Sequence, residues 1–255
     1  MNLQVGDYRC DRDGCTYTTK DPLNFRRHQG SVRHNPQNKR PMGRAPSSKK
    51  PTTLKGTFEM MPSTNPDRNH RLYIVGASGS GKSYFSAAYV RNHKLRYPDA
   101  KFFVVSNKAE DAPLDQLNPV AITPEQAGEI TSLASFRNSV VLFDDVDSFP
   151  PEEKKVVMRL YSHMVKDGRS DHIQVMLTSH NACNYHETRD ALINSSHLVF
   201  FPQFNQGHHL LQFLKLYGDL TKAQIREVLR WDTRWCVLHR EVPRFVLGEH
   251  NLRLL

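Results

Sequence analysis

The stretch RLYIVGASGSGKS, Arg71 to Ser83, decides the fold: a short apolar run ends in glycine-rich text and then in a lysine and a serine. RLYIV (71–75) reads as a buried strand, and the residues from Lys82 to about Leu95 read as a helix. Between them Gly76, Ala77, Ser78, Gly79, Ser80, Gly81, Lys82 and Ser83 match GxxxxGK[ST] at every fixed position, in the strand-then-helix setting that gives the match meaning. The residue types fit one chemistry. Glycines let the backbone turn so that successive N–H groups point inward, a nest for phosphates at a helix N-terminus. Lys82 adds a point charge for the β- and γ-phosphates, and Ser83 offers a hydroxyl to Mg2+. The segment therefore predicts an ATP site.

Magnesium bound to a triphosphate needs a second protein oxygen, and VVLFDD (140–145) supplies one, with four apolar residues feeding into Asp144 and Asp145. Asp144 is expected to hold the metal, directly or through water, and Asp145 to orient or deprotonate an attacking water. Asp147 is the weaker alternative and reads as a helix-cap group ahead of Pro150. An acid beside the metal-binding aspartate implies hydrolysis, and hydrolysis calls for two further devices. One, by resemblance to ring-forming motor ATPases, is a polar tip that senses the γ-phosphate, on an additional strand lying between the P-loop strand and the metal-binding strand. IQVMLTS (173–179) fits that strand, with Ser179 and His180 at its tip, although His180 also reads as a structural polar residue. The other is a positive charge facing the γ-phosphate in the transition state, often an arginine from a neighbouring subunit. Arg169, just before the strand, is the first choice and Arg189 the second.

The rest of the text from about Thr57 onward alternates in the same manner. KFFVVS (101–106) and HLVFFP (197–202) read as strands; PPEEKKVVMRLYSHMVKDG (150–168), LLQFLKLYG and TKAQIREVLRW read as helices, the last with Thr221 as its N-cap. WCVLHR and RFVLGE, separated by Pro243, suit a terminal pair of strands. Continuous apolar strands alternating with helices predict an α/β domain over residues 57–255, with a mostly parallel central sheet covered by helices on both faces.

The 255 residues leave room for one such domain and a small appendage. In the appendage Cys10-x4-Cys15-x12-His28-x5-His34 has the spacing of a two-cysteine, two-histidine finger, predicting a small ββα module over residues 1–36 that holds Zn2+. Asp21-Pro22 suits its helix start, and Tyr8, Phe25 and Tyr17 suit its small core. Asp21, Asn24 and Arg27 fall at the base-reading positions, but one finger covers only about 3 base pairs, so modest DNA anchoring and docking to a protein both remain open. Residues 37–56, rich in Pro, Ser and basic side chains, read as a flexible linker. The net charge of +9 is concentrated here: residues 1–56 hold 12 of the 35 basic and 4 of the 26 acidic residues, a balance of +8. Such an arm suits a polyanion, and also reads as a solvated basic tail. Only four cysteines (Cys10, Cys15, Cys183, Cys236), two at metal spacing, imply a reducing compartment. The opening MNLQVGDYRC lacks the apolar core of a secretory signal, and no apolar run is long enough for a membrane span, so neither export nor membrane partners are expected.

With these motifs in place, residues 57–255 resemble the poxvirus-type genome-packaging ATPases of the FtsK–HerA superfamily, found in large DNA viruses, virophages and polinton-like elements. The more specific part is Gly168 to Phe201: Gly168-Arg169 falls on the family's GR pair, Ser179-His180 on its polar tip, and Arg189 and Asn194 on an arginine and an asparagine ahead of an apolar strand. His180 stands where a glutamine is usual, and the finger is not a regular part of the family. The resemblance implies a RecA-like fold and a homo-oligomeric ring driving double-stranded DNA into a capsid. It also implies capsid proteins as partners and an intracellular viral assembly site, with virion association. A helicase or transposition-helper ATPase is the alternative within enzymes, and a nucleotide-gated DNA-binding regulator the alternative outside them.

Overall fold

The computed structural model describes residues 8–9, 18–19, 53–65, 68–182, 188–204 and 207–255. The chain divides into two compact units, Met1–Lys50 and Pro51–Leu255. In the first, β1 (Tyr8–Arg9) and β2 (Thr18–Thr19) pair antiparallel. The expected zinc ligands Cys10, Cys15, His28 and His34 lie outside the described residues, as do Asp21 at the expected finger helix start and residues 37–52 of the expected linker.

The second unit carries β3 (Thr53–Lys55), β4 (Arg71–Val75), β5 (Phe102–Val105), β6 (Val120–Ile122), β7 (Val140–Phe143), β8 (Gln174–Ser179), β9 (His197–Phe200), β10 (Cys236–His239), β11 (Phe245–Gly248) and β12 (Asn251–Leu254). They join into one sheet in the order β3-β12-β11-β10-β9-β4-β8-β7-β5-β6. Its helices are α1 (Lys82–Arg96), α2 (Ala112–Asp115), α3 (Pro124–Glu129), α4 (Pro151–Asp167), α5 (Arg189–Asn194), α6 (His208–Leu216) and α7 (Lys222–Val228). Thr123 caps α3 and Thr221 caps α7, each accepting from the backbone of the glutamine three residues on, which reaches back in turn.

Side-chain alternation sends each central strand's apolar residues to both faces. Tyr73, Val75, Val141, Phe143, Val175 and Leu177 pack with Leu160, Tyr161 and Met164 of α4, and with Phe213 of α6. Leu72, Ile74, Leu142 and Met176 pack on the other side with Phe85, Tyr89 and Val90 of α1. Two buried faces are why these strands read as unbroken apolar runs rather than alternating ones.

The sheet is mixed rather than mostly parallel, which corrects the sequence expectation. From β9 across β4, β8, β7 and β5 to β6 all pairs are parallel, but β9-β10, β10-β11, β11-β12 and β12-β3 are antiparallel. Connection geometry explains it. A parallel crossover needs a dozen residues or more, and the links from β10 to β11 and from β11 to β12 are far shorter. Between β9 and β10 two helices run in succession, returning the chain to the edge it left, so that Cys236 pairs with Phe200. Thr53–Lys55, within the stretch that reads as linker, forms the outer strand beside β12.

Candidate nucleotide site

The site is assembled where the parallel strands end. The loop after β4 packs tightly: a Cβ added to Gly76 would stand 2.3 Å from Ser80 Oγ and 2.8 Å from a Phe201 ring carbon. Gly79 and Gly81 take φ values of +75° and +104°, a region that a side chain disfavours. Gly81 is the N-cap of the 15-residue α1 and supplies no side-chain cap, which leaves the helix's first N–H groups for a ligand. Beside the loop lies a cavity of about 370 Å3 lined by Gly79, Lys82, Ser83, Lys108, Asp111 and Asp145, among others.

Lys82 is buried and curls back on the loop, its Nζ donating to the carbonyls of Gly76 at 2.7 Å and Ala77 at 3.2 Å. Burial lowers its pKa below the ordinary lysine value, although Asp145 and Asp144 pull the other way. Ser83 Oγ donates to Asp111 Oδ2 at 2.7 Å.

Asp144 and Asp145 follow β7, and β8 lies between β7 and β4. Thr178 of β8 ties them together: its hydroxyl donates to Asp144 Oδ1 at 2.7 Å and accepts from the Asp145 backbone N–H at 2.6 Å. Lys108 Nζ stands 3.1 Å from Asp144 Oδ2 and 3.3 Å from Asp145 Oδ2. Asp145 sits at φ 50°, ψ 50°, a left-handed conformation that costs a non-glycine residue about 1 kcal/mol and is found where a side chain must be aimed.

His180 connects the two halves. Its Nε2 is 2.7 Å from Asp145 Oδ1 and its Nδ1 is 3.3 Å from Lys82 Nζ. An ammonium can only donate, so Nδ1 is the acceptor and the ring hydrogen sits on Nε2, close to Asp145 Oδ1 but without hydrogen-bond geometry toward it. Ser179 faces elsewhere, its hydroxyl donating to Asp147 Oδ2 at 2.6 Å. Asp147 also accepts from the backbone N–H groups of His180 and Asn181 and thereby fixes the strand tip. Burial alone would raise its carboxyl, but these hydrogen bonds and Lys154 hold it below the usual carboxylate value.

Arg169 and Arg189 lie at opposite edges. Arg169 is in the turn before β8, where its carbonyl accepts from Asn69. The six residues of β8 separate that turn from the loop edge, about 20 Å at ~3.3 Å per residue. Arg189 opens α5, which follows the loop-edge end of β8 and leads to β9, while Asn194 closes α5 and its carbonyl accepts from Arg71 Nε. Lys108, Asp111 and Thr178 were not singled out from sequence. The available signals were a lone polar residue inside the apolar run VMLTS, and a polar loop at the carboxyl end of β5, the edge where open α/β sheets bind ligands.

Hard oxygen donors gather here. Ser83 and Asp111 line the cavity, Asp144 lies behind its wall against Lys108, and Asp111 Oδ1 is buried with no hydrogen-bond partner among the described residues. That donor set suits Mg2+.

No protein-family model matches the chain. Uncharacterized protein V3 of Sputnik virophage is 29% identical over 201 residues, covering 77% of this chain and 82% of its own. Genome packaging NTPase B204 from Sulfolobus turreted icosahedral virus 2, in complex with ATP-γS, superposes with a TM-score of 0.50 at 12% identity, over 73% of this chain and 98% of B204. The pCW3 conjugation coupling protein TcpA, with ATPγS, gives 0.51 at 10% identity over 78% of this chain and 65% of TcpA. The likeness is one of fold. It is a mixed α/β sheet similar to that of P-loop ATPases.

Proposed function

We propose that this chain is an ATP-hydrolysing double-stranded DNA translocase that packages a viral genome into its capsid. The observation carrying the reading is one cavity that receives the glycine loop, Lys82, Ser83 and Asp145, with Asp144 joined to it through Lys108 and Thr178. In this reading the N–H groups of Gly76 to Ser83 cradle the phosphates, and Lys82 exchanges two carbonyl partners for β- and γ-phosphate oxygens. Ser83 and Asp144 would hold Mg2+, which would supply neutralisation of the phosphate charge. Asp145, aimed by its backbone and lying 2.7 Å from His180, orients the attacking water and takes its proton; His180 communicates between Asp145 and Lys82, and Ser179 positions the tip through Asp147. An arginine from a neighbouring copy in a homo-oligomeric ring, Arg189 at the loop edge or Arg169 at the far edge, opposes the developing charge.

The destination is supported by what the relatives are: a genome packaging NTPase, a conjugation coupling protein and a virophage protein. Zinc on Cys10, Cys15, His28 and His34, with the basic arm behind it, anchors DNA or docks to capsid protein at an assembly site inside the host cell. Among the described residues no helix is long and apolar enough to cross a membrane.

The test is ATP turnover with and without duplex DNA, run beside displacement of a triplex-forming third strand. Duplex is expected to stimulate turnover several-fold and the third strand to be released with the duplex intact, both lost in Lys82→Ala. Absence of stimulation removes the motor reading, and separation of the duplex strands replaces packaging with a helicase.

A further inference from the structure

A second cavity, of about 560 Å3, opens at the edge of the sheet opposite the nucleotide site. Its wall comes from residues that precede the parallel strands and from the end of α1, and it is strongly basic. Arg68, Arg96, Lys101 and Arg137 line it with one acid, Asp99. The chain from residue 57 onward carries 23 basic and 22 acidic residues, so this is a local concentration rather than a general surplus. Arg68 and Lys101 are exposed and make no ion pair within the described residues, whereas Arg137 meets Asp171 at 3.0 Å.

A second feature lies beside the same space. His93 lines the cavity and is 3% exposed, yet its Nδ1 has no hydrogen-bond partner among the described residues. A buried polar atom left unpaired is costly. Its ring is held 4.9 Å from that of Tyr97, whose hydroxyl is pinned to the Ser63 carbonyl. Two wall residues, Asn138 and His172, take left-handed φ values of 57° and 54°. Cations converge on an opening of ligand size, with strained backbone in its wall.

We propose that this cavity binds a phosphate of the nucleic-acid backbone, with Arg68 and Lys101 as its charge contacts. The assignment rests on the DNA-translocating reading and gives it a DNA-facing surface distinct from the N-terminal arm. It also sets the polyanion and the nucleotide at opposite edges of one sheet, joined by β4, β7 and β8.

The test uses the full chain and a fluorescent 30-base-pair duplex, titrated across salt concentrations. Arg68→Gln/Lys101→Gln is compared with wild type and with Lys222→Gln/Arg226→Gln, which removes equal charge from exposed positions on α7. The cavity variant is expected to bind about tenfold more weakly near 0.15 M salt, with a log–log salt slope shallower by about 2 and DNA-independent ATP turnover unchanged. The α7 variant is expected to keep the wild-type slope. Equal slopes in wild type and cavity variant overturn the assignment while leaving the motor reading intact. A wild type that neither binds duplex nor is stimulated by it overturns both. Loss of inorganic phosphate or AMP binding by the cavity variant, with duplex binding untouched, assigns the pocket to a free phosphate ligand and overturns the nucleic-acid assignment.

Discussion

Lys108 places one ammonium against two carboxylates, and Asp144, only 1% exposed, makes no other ion pair among the described residues. Removing it leaves a buried charge supported mainly by the Thr178 hydroxyl. Lys108→Ala is therefore expected to lower unfolding free energy by about 1 kcal/mol in EDTA, the low end for a charged partner because Lys108 is 37% exposed and water screens it. Millimolar Mg2+ is expected to restore most of that loss. Denaturant unfolding with and without Mg2+ measures both, and an equal loss in either condition denies that lysine and metal serve the same oxygens. At this scale the sequence was informative where chemistry restricts residue type. Lys82, Ser83 and the acid pair stand out in the text because phosphates and magnesium, the ligands proposed for them, accept few residue types. Lys108, Asp111 and Thr178 carry no such signature; each acquires meaning only when strands distant in sequence lie side by side. Ser179 shows the converse, since its place at a strand tip was legible but its partner, Asp147, was not.

Among the elements, β8 matters most for the chemistry. It is the spacer between β4 and β7, and one of its buried side chains fixes both acids. Thr178→Val keeps the shape of the side chain while deleting a donor to Asp144 and an acceptor from Asp145. ATP turnover is expected to fall ten- to hundredfold, the usual cost of misplacing a reacting group by a fraction of an ångström to 1 Å, with nucleotide affinity within a few-fold of wild type. Steady-state kinetics beside ATPγS binding checks this; full turnover shows that the strand does not position the acids. The apolar run of β8 and its central place were readable because a parallel strand buried on both faces has few alternatives. The antiparallel half was not, since β10 and β11 are buried on both faces too and their apolar runs look the same. Loop length, rather than strand composition, held that information.

At the scale of the whole sheet, the edge away from the candidate nucleotide site is stacked with histidines. The rings of His70 and His197 lie 4.3 Å apart and those of His197 and His239 4.7 Å apart. Burial, with the neighbouring positive groups His239, His93 and Arg71, pushes His70 down to about 3; burial pushes His93 down to about 4. His197 is lowered as well, by burial and then by His70, His239 and Arg71. The unfolded chain takes these protons near pH 6.5, the folded chain well below it. Between those limits the unfolded state binds more protons, so stability is complete above about pH 6.5 and falls as pH drops, by about 1.4 kcal/mol per pH unit for each histidine. Unfolding free energies at pH 7 and 5 are expected to differ by several kcal/mol, and His70→Gln to reduce that difference by about one proton's share. An unchanged difference places His70 outside the acid response. None of this clustering could be seen in the sequence, where the rings are scattered from 70 to 239.

The account depends on the glycine loop and the acid pair serving one nucleotide. Magnesium-dependent ATP turnover in Lys82→Ala, Asp144→Asn and the double variant tests that directly. The expected result is a loss of at least about a hundredfold in each single variant, with the double variant scarcely worse than the poorer single one. Wild-type turnover in Asp144→Asn, or losses that multiply in the double variant, would contradict it.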